Sequence, residues 1–463
     1  MPTLDATVRA LPYVPNLGTE NELGRHLAGL MGGRLNAVHD RGQFRRWDAA
    51  APGWVEIPED EVRRAAAAYE GKVYRSPENP NLERRIYMSA SKAKGIVAQA
   101  AVELARPGFF NESVLGAAFR NAFVRVDGNR VVYEAHRQDH RTFAEHVRPY
   151  DLVPLAVANA KMPLFGKFLM ETWAGCTDAR DRVYFAGEYL GAAMLRQTWR
   201  HKDNPLFVGA KDTGKSVLLS VVRSLFPAGT TTSVTLQAMG DRFGLSPLLG
   251  AAVNLVTELP AAAVQAGEKA KAILVADEVM IEEKYKQPFP YRCTIGHLFA
   301  ANEIPPVPDD ALRERFAVLD FPNVVPGAMQ DKLLPEKLAA EAPMIASWAV
   351  QIAALGVIAR GRFVRPSSAA ALARAWANQS DNVAAWAVET VAPGTDADFV
   401  ATVDLYACYA LWCAGRGEKP EASAVFGRRM TRAGFVAKNR NARGYLVRYL
   451  TDAEREAARR WKP

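Results

Sequence analysis

The sequence predicts an α/β protein. Its core is a parallel sheet with flanking helices around a phosphate-binding loop, preceded by an α+β module and followed by a basic helix–turn–helix with a wing. Three observations carry this expectation. A short apolar run, Leu206-Phe-Val208, passes through GAKDTGKS into the helical pattern VLLSVVRSLF, which reads as strand, glycine loop, helix. Two later apolar runs, AVNLVT and HLFAA, lead to polar residues at Glu258 and Asn302. The net charge of +8 is concentrated at one end, where residues 401–463 hold 13 Lys/Arg against 6 Asp/Glu.

The loop fits G-x-x-x-x-G-K-[ST] over Gly209, Ala210, Lys211, Asp212, Thr213, Gly214, Lys215 and Ser216. The two glycines let the backbone turn tightly and aim its N–H groups inward, and the following helix points its positive end at the same place. In that setting Lys215 is expected to reach the β- and γ-phosphates of ATP, and the Ser216 hydroxyl to hold Mg²⁺. Glu258, at the end of a strand downstream of the loop, is the expected carboxylate for Mg²⁺ and for orienting the attacking water. Asn302, at the end of the third apolar strand, suits a group that holds the lytic water or senses the γ-phosphate. Arg313 and Arg315 follow in ALRERFAVLDFP, and either is a candidate to neutralise transition-state charge in a neighbouring subunit.

Composition narrows the classes. Of the 463 residues, 49% are hydrophobic, so a large core is expected and disorder is not the default. The four cysteines lack C-x-x-C spacing and a histidine pair, which speaks for reduced core residues and against a zinc site. The N-terminus shows no basic region followed by an apolar stretch. The longest apolar run, at 344–359, is interrupted and short for a membrane span, so a cytoplasmic protein without membrane contact is expected.

Along the chain, residues 1–20 read as a loose leader and 20–195 as an α+β lead-in domain. Within it lie the helix ENELGRHLAGLMGG, a hairpin carrying Trp47 and Trp54, and a second hairpin across Asp-Gly-Asn. The motor core is expected over 196–325 and a helical layer over 326–365. RPSSAAALARAW reads as a linker into a basic C-terminal domain at 375–463. Between the second and third apolar strands, Lys284, Tyr285 and Lys286 are expected on an exposed hairpin, a cation–aromatic–cation pattern suited to single-stranded nucleic acid. In the C-terminal domain Arg428, Arg429 and Arg432 lie on a helix and Lys438, Arg440 and Arg443 on a wing tip, an arrangement suited to duplex phosphates.

Taken together, GAKDTGKS, NLVTE, the Lys-Tyr hairpin and FAANEIPPVPD followed by Arg315 and FAVLDF resemble a superfamily 3 helicase. The similarity is to the phage and plasmid branch related to the poxvirus primase-helicases. The lead-in stretch and the C-terminal tail also resemble that branch, so the likeness spans roughly residues 20–450. It implies an AAA+-like P-loop motor with a winged-helix tail. It implies an ATPase that forms a homo-oligomeric ring, usually a hexamer, and unwinds single-stranded and forked DNA during replication of a phage or mobile element. It assigns Lys215 and Ser216 to phosphate and Mg²⁺, Glu258 to Mg²⁺ and water, Lys284 to DNA, Asn302 to the γ-phosphate and Arg315 to the trans finger. A separate primase or origin-binding protein is an implied partner, because no acidic cluster suited to polymerase metals precedes the loop. Three positions depart from the family pattern: Thr213 stands before Gly-Lys-Ser, Thr257 precedes a single acid at Glu258, and Glu314 separates Arg313 from Arg315. Two other classes share parts of the pattern, an ATP-switched DNA-binding initiator and a P-loop kinase or metabolic NTPase.

Overall fold

The computed structural model describes residues 3–11, 19–75, 81–259, 267–284, 287–305, 307, 309–379, 381–451 and 456. Four apolar cores organise them. The first belongs to residues 4–104 and packs the helices Glu20–Leu35 and Ala90–Glu103 against the antiparallel sheet Ala37–Asp40, Gln43–Asp48, Gly53–Ile57. Thr19 starts the first of these helices with a reciprocal capping box to Glu22. The expected tryptophan hairpin is present, with Trp47 opposite Trp54. The stretch read as a loose leader contains a helix, Leu4–Arg9, whose Leu4 and Val8 are buried in this core.

The second core couples the sheet Gly116–Phe119, Ala122–Asp127, Arg130–Glu134 to the parallel-sheet unit. Ala117, Phe119 and Val124 share one apolar cluster with helices Pro163–Thr172 and Ala179–Met194 and with strands of the parallel sheet. The lead-in stretch is therefore divided between a self-contained core and the core of the parallel-sheet unit.

The sheet that carries the glycine loop has five parallel strands. In chain order they are Asn204–Val208, Thr231–Thr232, Val253–Val256, Gly296–Ala301 and Phe316–Asp320, and in space they run second, third, fourth, first, fifth. The strand before the glycine loop thus lies inside the sheet, flanked by Gly296–Ala301 and Phe316–Asp320. Both of its faces are covered, by the second core and by a third built from Leu206, Val256, Phe299 and Val318, which explains its continuous apolar reading.

Helices Ala179–Met194 and Ala342–Ala353 cross behind the sheet, and Gly191 is where their backbones meet. A Cβ there would lie 2.0 Å from the Ala349 carbonyl oxygen. Gly191→Ala therefore forces two helices apart, and we expect a loss of about 3 kcal/mol in denaturant unfolding. The apolar run at 344–359 is largely interior, and among the described residues no single helix is long and apolar enough to cross a membrane.

Most of the stretch read as a linker lies in the helix Ser367–Gln379, which is docked on the parallel-sheet unit. Trp376 is buried in the third core and donates from Nε1 to the Pro305 carbonyl at 2.7 Å. Its N-terminus is tied down by a buried network. Asp178 accepts from the Ser368 amide at 2.8 Å and from Arg182 at 2.7 Å, while Arg182 also donates to the Asp320 carbonyl and to the Ser368 hydroxyl. Burial alone would raise the Asp178 pKa, but the Ser368 hydroxyl and amide and the Arg182 guanidinium more than reverse this and hold it at about 2. A depressed carboxylate stabilises the fold above its ordinary pKa of 3.8 and loses that contribution as pH falls through about 2. Asp178→Asn should thus cost about 2 kcal/mol at neutral pH, with the gap to the parent closing in melts run from pH 4 downward.

The fourth core joins helices Asn382–Thr390, Thr402–Gly415 and Ser423–Arg432 to the strands Val391–Pro393, Phe399–Ala401, Ala437–Asn439 and Arg443–Tyr449. The last two strands pair antiparallel around residues 440–442, where the basic tip was expected.

Candidate functional site

The site lies at the carboxyl edge of the parallel sheet, where open α/β sheets present their ligand-binding loops. Register places three features there. Val208 pairs with Ala301, and Phe299 pairs with Val256, so the glycine loop, Asn302 and Glu258 leave three adjacent strands at one edge. The Leu259 amide bonds the Ala300 carbonyl at 2.8 Å, which brings the Glu258 segment against the end of the Asn302 strand. Asn302 Nδ2 then donates to Glu258 Oε1 at 3.4 Å, and both side chains are exposed. Two residues chosen separately from strand ends are thus brought together.

The loop has the backbone a phosphate cradle needs. Gly214 has φ 91° and Asp212 φ 63°, so the chain makes two left-handed steps before the helix Lys215–Ser224 begins. Gly209 has its own reason: a Cβ there would lie 2.6 Å from the Phe321 carbonyl oxygen. Thr213, the first departure from the family pattern, is buried. Its hydroxyl donates to the Ala210 carbonyl at 2.9 Å and accepts from Lys215 Nζ at 3.3 Å, so it braces the loop from within. Lys215 is also buried, and its Nζ donates to the carbonyls of Gly209 and Ala210. Burial pulls its pKa below the ordinary lysine value while the nearby Asp212 carboxylate pulls the other way. Ser216 is exposed on the first turn of the helix.

Beside the loop is a cavity of about 490 Å³. Asp212, Thr213 and Gly214 line it, and Phe168, Val325 and Met329 supply apolar surface. Sequence reading missed these three. Phe168 lies on the helix Pro163–Thr172, and the others lie in the loop after the fifth strand, so only the fold brings them to the loop. The Val325 amide bonds the Asp212 carbonyl at 2.8 Å, which fixes that surface to the loop.

The two finger candidates are placed differently. The Arg313 side chain is 9% exposed, pairs with the Asp310 carboxylate and donates to the Val307 carbonyl. Burial lowers its pKa. Arg315 is half-buried, and its Nε is enclosed without a hydrogen-bond partner among the described residues.

The proposed nucleic-acid residues divide further. Lys284 is exposed at the end of the hairpin formed by Glu278–Ile281 and Phe289–Arg292, and Tyr285 and Lys286 lie outside the described residues. Arg429 is 11% exposed and paired with Asp381 and Glu421. Arg432 reaches Asp310 at 3.3 Å, and so ties its helix to the parallel-sheet unit beside Arg313. Lys438 pairs with Asp396, and Arg440 sits over the Phe399 ring with its head on the Asp396 carbonyl. Arg428 and Arg443 are exposed.

A family model described as a family of unknown function (DUF5906) matches residues 207–315, the stretch from the loop strand to the arginine pair. No curated protein matches the chain. Among solved structures, an apo form of the NrS-1 C-terminal region is 13% identical over 71% of this chain and 96% of its own, with a TM-score of 0.35. A second apo structure of that region is also 13% identical and has a TM-score of 0.36, covering 71% of this chain and 97% of its own. A ligand-bound JCV helicase is 14% identical over 58% of this chain and 74% of its own, with a TM-score of 0.23.

Proposed function

We propose that the chain is an ATP-driven DNA helicase of the superfamily 3 kind. It would work as a ring and hydrolyse ATP where subunits meet. The observation that carries this reading is the Glu258–Asn302 pair at the same sheet edge as the glycine loop. A loop alone binds phosphate. A carboxylate and an amide set opposite it supply the groups that place a water for attack and detect the γ-phosphate.

In this reading the backbone of Gly209–Ser216 cradles the phosphates, and Lys215 leaves the Gly209 and Ala210 carbonyls to meet the β- and γ-oxygens. Ser216 and Glu258 would hold Mg²⁺, which when bound neutralises charge on those oxygens. Exposure of both side chains and the single carboxylate between them are consistent with that ligand set. Phe168, Val325 and Met329 would take the nucleobase in the adjoining cavity. Arg313 is engaged within its own chain, so Arg315 is the better candidate for the trans finger. Lys284 would face single-stranded DNA, and the fourth core would act as a winged helix through Arg428 and Arg443.

The test is ATP hydrolysis by the purified chain with and without a single-stranded oligonucleotide. A motor shows hydrolysis raised severalfold by DNA. Hydrolysis indifferent to DNA speaks for a metabolic NTPase, and DNA binding without hydrolysis for an ATP-switched initiator.

A further inference from the structure

A second cavity, about 340 Å³ in volume, lies where the sheet Gly116–Phe119, Ala122–Asp127, Arg130–Glu134 and its connector meet the motor. Five arginines line it: Arg41, Arg141, Arg148, Arg196 and Arg292. The lining contains one carboxylate, Glu278. The arginines come from separate parts of the chain, so no local sequence pattern announces them.

The protein pairs only one of the five with a carboxylate among the described residues. Arg141 pairs with Glu112 at 2.6 Å, but among the described residues Arg41, Arg148, Arg196 and Arg292 form no ion pair. Arg148 is only 3% exposed. Its guanidinium donates to the Leu225 carbonyl at 2.9 Å and lies within 5.3 Å of the Phe119 and Phe226 ring centres. Arg196 donates twice to the Thr294 hydroxyl, at 2.6 and 3.1 Å. Arg292 donates to the Ala276 carbonyl at 2.9 Å. It is the register partner of Glu278 at the base of the hairpin whose far end carries Lys284, yet the two form no ion pair. Arg41 and Arg292 are exposed, whereas Arg148 and, in part, Arg196 are enclosed; a guanidinium does not shed its proton, so enclosing those two without a counter-charge is costly unless a ligand supplies it.

We propose that this cavity is a second anion site, separate from the glycine loop, which takes a small ligand bearing linked phosphates: a nucleoside polyphosphate or inorganic polyphosphate. Planar guanidinium forks match phosphate oxygens two at a time, and several forks around one cavity suit a ligand with several negative charges. The volume is in the range of small-ligand sites. Phe110, Phe143 and Tyr291 add aromatic surface that a base can stack on.

The experiment uses the full chain carrying Lys215→Ala, which cripples the loop site. Inorganic triphosphate is titrated by calorimetry, followed by ATP, and a single-stranded oligothymidylate is then added as competitor. We expect one saturable triphosphate site that Arg196→Gln with Arg292→Gln weakens by about tenfold or more in a variant that still melts cooperatively. Arg292→Gln alone, at an exposed position, serves if the double variant fails to fold. Tighter binding of ATP than of triphosphate assigns a nucleotide, and equal binding assigns bare polyphosphate. The proposal is overturned if no saturable binding is found, if the arginine variants bind as tightly as their parent, or if only the oligonucleotide occupies the site.

Discussion

Lys215→Ala lowers ATP hydrolysis by about 10²–10³-fold, the scale seen when one pre-aimed donor is removed from a developing oxyanion. Lys215 is the buried cation of the loop, and its Nζ already sits among the Gly209 and Ala210 carbonyls and the Thr213 hydroxyl. Its charge is held in a desolvated position, where it acts on phosphate oxygens more strongly than an exposed lysine would. Because it meets the phosphates before and during cleavage, both KM and kcat should worsen. The fold should hold, since alanine is a good helix former at the first position of Lys215–Ser224. Steady-state kinetics with a melting curve for each variant checks this. Wild-type turnover in the alanine variant would remove Lys215 from the chemistry.

Glu258→Gln gives the second large effect with a different signature. The carboxylate stands exposed two residues beyond its strand, with Asn302 Nδ2 3.4 Å away, and no second acid precedes it. One group then carries both the metal and the water. Glutamine keeps the hydrogen-bonding size but cannot accept the water's proton, so kcat should fall by about 10²–10⁴-fold. Nucleotide affinity in fluorescence titration should stay within a few fold of the parent, because the loop is untouched. A variant that loses affinity and turnover together would place Glu258 in binding alone.

Much of the site was legible because its residues sit in short, ordered patterns. GAKDTGKS fixes a strand, a loop and a helix within a dozen residues, and the apolar runs ending near Glu258 and Asn302 say where their strands stop. Parallel packing then aligns the ends. What was not legible depends on pairing across long separations. Residues 365–376 read as a linker from their Pro, Ser and Ala content, but Trp376 finds a buried place beside Phe316 and its indole finds the Pro305 carbonyl. Arg429 reads as a DNA contact until Asp381, 48 residues away, comes to face it. Arg313 reads as a finger until the fold buries it beside Asp310. Phe168 comes from the lead-in stretch and Val325 and Met329 from beyond the fifth strand, so the apolar lining they form leaves no local pattern.

The most direct test of the central claim is strand separation. A forked duplex with a single-stranded tail on one strand or the other is incubated with the chain, Mg²⁺ and ATP, beside the Glu258→Gln variant. A helicase releases the strand from one of the two forks, only with hydrolysable ATP, and the variant releases none. An active ATPase that separates neither fork would contradict the account.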